Sequence, residues 1–117
     1  MIGPVLVVVV ALIHAYFLVL EMFRWEAPRT RKVFGTTPEF AAESKVMAAN
    51  QGLYNGFLAA GLLYGLVLGV AGGKMVIFLL LCVIVAGIYA AFCGIKAALY
   101  AQSAPAAFAL IALFLNI

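Results

Sequence analysis

His14 and Glu21 lie seven residues apart in the stretch HAYFLVLEMFRW, residues 14 to 25, near the end of an apolar run that begins at the first residue. Seven residues are two helical turns. On a helix the imidazole and the carboxylate therefore share a face with Phe17, Leu18 and Arg24, about 10 Å apart along the axis. Both groups are costly to place in hydrocarbon, and an ionisable side chain inside an apolar helix is a functional-site hypothesis by default. Glu21 would be the protonatable or cation-binding group and His14 a second proton carrier. Alternatively, either serves as general acid or base on a lipophilic substrate entering from the bilayer. The 10 Å separation suits a pathway better than a single acid–base pair. The bland alternatives are a glutamate that reaches the interface or pairs with Arg24 or Lys96, and an imidazole that only ties two helices together.

Two further polar sets could meet this face. In NQGLYNGF, residues 50 to 57, the side chains of Gln51, Tyr54 and Asn55 are spaced for one helical face with Leu58, and Asn50 stands beside them. They could satisfy and orient the carboxylate and imidazole, or act as interhelical hydrogen-bonding glue worth about 1 kcal/mol per bond. Further on, Tyr89, Cys93, Lys96 and Tyr100 follow at spacings of 4, 3 and 4. Lys96 is then either a partner for Glu21 or a base marking the inner boundary within a tyrosine belt. The ligand or proton pathway is thus assigned to His14, Glu21, Gln51, Tyr54 and Asn55, with Asn50, Tyr89, Cys93 and Lys96 around it. The chain has one histidine, no aspartate and two cysteines eleven residues apart, which supports neither a metal site nor a disulfide framework. Phosphate-loop and serine–histidine patterns are missing as well, and no cofactor is predicted.

The elements that must position these groups follow from composition. Of 117 residues, 68% are hydrophobic and 9% charged, with a mean hydropathy of +1.24. Soluble domains average about 45–50% apolar and about 25% charged. The length suffices for about four spans of roughly 20 residues. The expected fold class is all-α, an integral membrane four-helix bundle forming a single transmembrane domain over residues 1–117. The first helix is expected over about 3–23, ending at the charges and proline of RWEAPRTRK. TTPEF offers Thr36 or Thr37 as a cap, Pro38 in the first turn and a capping box from Glu39 to Thr36, opening a helix over about 38–71. GVAGGK is a turn, a third helix is expected over 75–102, and QSAP opens a last one over 104–117 with Ser103 as cap. That last helix is short of the length needed to span.

The first connection and the start of the second helix carry Arg24, Arg29, Arg31, Lys32 and Lys45; Lys74 and Lys96 are the remaining bases. Placing the 24–45 segment in the cytoplasm gives six bases inside and one outside, with both termini outside. The formal charge of +3 is thus a topology signal and implies no nucleic-acid partner. The first run lacks a basic start and a small-residue cleavage pattern, so it is expected to remain as a span. Gly52 and Gly56, and Gly61, Gly65 and Gly69, are spaced by four or multiples of it, forming small-residue faces suited to a compact bundle or a homodimer.

With HAYFxxLEMFRW at 14–25 and NQGLYNGFLAAGL at 50–62, the whole chain resembles a family of small bacterial four-helix membrane proteins catalogued as a domain of unknown function. The resemblance implies a four-helix bundle in the bacterial inner membrane and no particular substrate. Size and a first-helix glutamate also resemble the small multidrug-resistance transporters. Those proteins lack a long basic first loop and tend to balanced topology, a departure that sets dual-topology antiport against the six-to-one bias here. The expected function is binding or transport of a small lipophilic or cationic ligand, or an ion, in an intramembrane polar pocket. The alternatives are a membrane-embedded enzyme and a structural subunit of a larger membrane complex.

Overall fold

The structure, a computed structural model, describes residues 1–117. It is all-α: α1 (Ile2–Phe23), α2 (Pro28–Phe34), α3 (Pro38–Glu43), α4 (Lys45–Val67), α5 (Gly73–Phe92) and α6 (Ala104–Phe114), with a 3₁₀ turn at Gly69–Gly72 and a π turn at Leu99–Ser103. Two stretches, Ile2–Phe23 and Gly69–Phe92, are long and apolar enough to cross a membrane, with mean hydropathies of 2.5 and 2.8; Leu99–Phe114 is apolar but shorter.

Six helices replace the four expected, and each difference has a local cause. The connection after α1 holds α2, because Pro28 presets the first helical turn and Gly35, at φ 69°, closes the last one. The N–H groups of Gly35 and Thr36 both reach the Arg31 carbonyl. The helix expected over 38–71 does start at Pro38, but its cap is Thr37, whose Oγ1 accepts from the Phe40 N–H at 3.1 Å. The capping box between Thr36 and Glu39 is not formed, and Thr36 Oγ1 is buried without a hydrogen-bond partner. Ser44 then interrupts the helix. Its hydroxyl donates to the Phe40 carbonyl at 2.7 Å, sharing that oxygen with Ser44's own backbone N–H at 2.9 Å, a known way for serine to bend a helix.

The helix expected over 75–102 begins at Gly73 and stops at Phe92. Gly94, at φ 105°, ends it: the Ile95 N–H bonds the Ala90 carbonyl and the Gly94 N–H bonds that of Ala91, the paired bonds of a Schellman stop. The last helix, expected over 104–117, occupies Ala104–Phe114. Pro105 sits in its first turn, where no N–H is needed, and the wide π turn precedes it. Ser103 caps nothing, donating instead to the Ile84 carbonyl of α5 at 2.9 Å.

The chain forms two compact units. The first comprises Met1–Ile13 and Leu58–Ile117, the second His14–Phe57. The first unit buries Val7, Val10, Leu62, Leu80 and Val83 together with the alanines of α6, Ala106, Ala109 and Ala112. Small residues set its helix contacts. A Cβ at Gly65 would meet Val76, one at Gly87 would meet Ser103 and the Ala98 carbonyl, and one at Gly72 would run into the Gly65 backbone. Gly69 belongs to the turn rather than to a packing face, with φ 64° and open space around it. The Gly3 N–H donates to the Ile117 carbonyl at 3.0 Å. In the second unit, α2 is fixed through Thr30, 1% exposed, and through Phe34, whose ring lies 5.0 Å from Trp25 and 6.3 Å from Phe17.

Candidate functional site

The second unit holds the site. Its floor is the close approach of α4 to α1 at Gly52, where an added Cβ would lie 2.7 Å from Met22 Cγ, 3.0 Å from Glu21 Cβ and 3.2 Å from the Leu18 carbonyl oxygen. A small residue lets backbones come this near. One turn further, Gly56 sits against Leu18. This contact brings Asn55, three residues past Gly52, opposite Glu21, and Asn55 Nδ2 donates to Glu21 Oε1 at 2.6 Å. Glu21 is 8% exposed and His14 1%, so both are buried as the apolar surroundings required. The His14 ring meets Phe17 edge to face at 6.0 Å. Glu21 has no ion pair; Lys45 instead lies 3.3 Å from Glu26.

Of the residues assigned from sequence, the structure joins Glu21 and Asn55 in one contact and buries His14 two turns away on the same helix. Asn50, Gln51 and Tyr54 are exposed, Tyr54 packing its ring against Phe57 at 5.8 Å. The face α4 turns inward is Ala48, Gly52 and Asn55, one helical position away from the polar stripe and sharing Asn55 with it. Tyr89, Cys93 and Lys96 all lie exposed in the other unit, and Lys96 makes no ion pair. The Gly94 stop interrupts the helix on which their spacing would have made one stripe.

Sequence reasoning missed the neighbourhood just beyond Glu21. Trp25 Nε1 donates to Ser44 Oγ at 3.0 Å, fixing the end of α1 to the break between α3 and α4. Beside it a cavity of about 310 Å³ is walled by residues including Arg24, Trp25, Glu26 and Lys45. The signal available was the adjacency of Arg24, Trp25 and Glu26 at the end of an apolar run. A larger apolar cavity of about 670 Å³, bordered by Val5, Gly65 and Val76, lies in the first unit. Neither cavity is lined by His14 or Glu21.

No solved structure matches the chain. An uncharacterized protein, YpaA, of Lactococcus lactis subsp. lactis (strain IL1403) is 32% identical over 112 residues, covering 94% of each chain. A family model described as "Protein of unknown function (DUF1304)" matches residues 8–114, a span that takes in α1 from its second turn, the Glu21–Asn55 contact and all of α6, and the chain belongs to that family.

Proposed function

We propose that this is a polytopic protein of the bacterial inner membrane in which Glu21 is an intramembrane binding group for a proton or a small cation, with Asn55 holding its carboxylate and His14 continuing the polar line along α1. The observation that carries the reading is the pairing itself: a carboxylate inside an apolar helix, 8% exposed, whose partner at 2.6 Å is a neutral amide. An amide donor orients a carboxylate but does not balance its charge. A bare charge in hydrocarbon is costly, so the group needs a proton or a cation as its counter-charge. The other three glutamates, Glu26, Glu39 and Glu43, are exposed. Membrane embedding is supported by the faces of the two apolar stretches. Most of their side chains remain on the protein's own surface, among them Val5, Leu12, Val19, Phe78, Leu81 and Val85, where a core helix of a soluble protein would be covered.

A lipophilic carbodiimide tests the site, since it reaches carboxyls in hydrocarbon and leaves water-exposed ones largely untouched. The expected result is one adduct on the wild type, located at Glu21 and missing from Glu21→Gln. Liposomes holding the wild type should pass protons or a monovalent cation, with flux falling to the empty-liposome level in Glu21→Gln. Wild-type liposomes as tight as empty ones, together with an unlabelled Glu21, would leave the contact as interhelical glue.

The same reading places residues 24–45 in the cytoplasm and both ends outside, from the six-to-one distribution of bases. Thr30 is buried and unsuited to labelling, but Ala42 is exposed. With Cys82 and Cys93 replaced by alanine, Ala42→Cys should be silent to an impermeant maleimide in intact cells and react after lysis. Reaction in intact cells would reverse the orientation.

A further inference from the structure

We infer that the cavity at the end of α1 is a binding site for the headgroup of an anionic phospholipid. The inference rests on the membrane placement of α1 proposed above, and is independent of any role for Glu21.

Three basic side chains gather about one acidic residue here, Glu26, only one of them at its carboxylate. Lys45 Nζ is 3.3 Å from Glu26 Oε1, and Arg31 Nε donates to the Glu26 backbone carbonyl at 3.2 Å. Arg24 lines the same cavity and has no ion pair. Against the single charge of Glu26, Arg24, Arg31 and Lys45 leave a formal surplus of two positive charges. An arginine beside a lysine offers a phosphate both a planar fork and a point charge. The Lys45–Glu26 pair does not close the site, because both side chains are largely solvent-exposed, at 66% and 48%, and such a pair contributes little.

The wall of the cavity selects a lipid over a free anion. Met22 and Phe23, the last residues of α1, complete it, so the basic rim continues directly into the apolar surface of a helix long enough to cross the bilayer. An amphiphile fits that junction, with phosphate at the rim and acyl chain along α1. Trp25 marks the same level. Its indole is held by Ser44 and lies against Phe34, as expected of a tryptophan at the boundary between headgroups and hydrocarbon. Clusters of basic residues next to a span are the usual recognition element for anionic headgroups.

Trp25 is the chain's single tryptophan and lines the cavity, so its fluorescence reports occupancy. The wild type is reconstituted in phosphatidylcholine, and either the phosphatidylglycerol or the phosphatidylcholine fraction carries brominated acyl chains, which quench indole on contact. Quenching is expected to favour phosphatidylglycerol about fivefold or more, less so as salt is raised. Arg24→Gln with Lys45→Gln should bring the preference to parity. Arg24→Lys, which keeps the charge, should retain most of it, and Lys74→Gln, in the other unit, should retain all of it. Equal quenching by the two lipids in the wild type overturns the inference while leaving the membrane placement intact. Quenching by neither overturns the membrane placement itself. A preference that survives the double variant assigns it to other bases and overturns the site. Abolition of the wild-type preference by millimolar inorganic phosphate makes the occupant a free anion, which also overturns the lipid assignment.

Discussion

Gly72→Ala is expected to destabilise the fold by about 2–3 kcal/mol, whereas Gly73→Ala, one residue on, should leave stability unchanged or raise it by up to about 1 kcal/mol. Both glycines have helical backbone angles, φ −89° and −57°, so alanine is allowed at each on conformational grounds. What differs is space. A methyl group on Gly72 would run into the backbone of Gly65, and a backbone cannot rotate away as a side chain can. A methyl group on Gly73 meets nothing within 4 Å and removes the conformational freedom glycine has in the unfolded chain. Melting the two variants beside the wild type in one detergent gives the comparison. Two curves that superimpose would mean that α4 and the 3₁₀ turn do not touch at these residues.

The second large effect concerns Asn55. Asn55→Leu leaves the Glu21 carboxylate buried with no hydrogen-bond donor, and stability is expected to fall by about 1–3 kcal/mol. Glu21→Gln should cost less than about 1 kcal/mol, because a glutamine oxygen still accepts from Asn55 Nδ2. The double change Glu21→Leu with Asn55→Leu should recover most of the loss, since removing both partners leaves no polar group unsatisfied. With Glu21→Leu measured as the second single variant, the coupling energy from this cycle is expected to be favourable to the pair. Additive single effects would show that Glu21 is held by something other than Asn55. Glu21→Gln is also the variant whose flux should vanish while its fold persists, which separates a functional carboxylate from a merely structural one.

How these residues could be read from sequence depended on whether the deciding contact was local. The apolar lengths of α1 and α5, the Pro38 start and the turn before Gly73 follow from hydropathy and turn chemistry, which need no partner. The inward face of α4 does need one. Its polar stripe through Gln51, Tyr54 and Asn55 overlaps a small-residue stripe through Gly52 and Gly56, and only the approach of α1 decides between them. The small residues face inward because a side chain at Gly52 would run into Met22 and crowd Glu21 and the Leu18 carbonyl. Asn55, at the border of the two stripes, was legible; Gln51 and Tyr54 were not. The stripe through Tyr89, Cys93 and Lys96 is broken for a different reason, since a lone glycine in an apolar run reads as tolerated until its φ of 105° is seen.

The bond from the Gly3 N–H to the Ile117 carbonyl bears on the order in which the chain can assemble during synthesis. The unit His14–Phe57 is one continuous stretch and is complete once its last residue has left the ribosome. The other unit is built from Met1–Ile13 and Leu58–Ile117, and the leucine that fills the space beside Gly3 is Leu113. Its first turn of helix therefore has to wait for the last. Contacts between such distant residues form only after a long loop has closed, and they follow local ones in time. A nascent chain arrested before α6 emerges should already protect the Glu21–Asn55 contact while the first turn of α1 remains open to proteolysis or to chaperones.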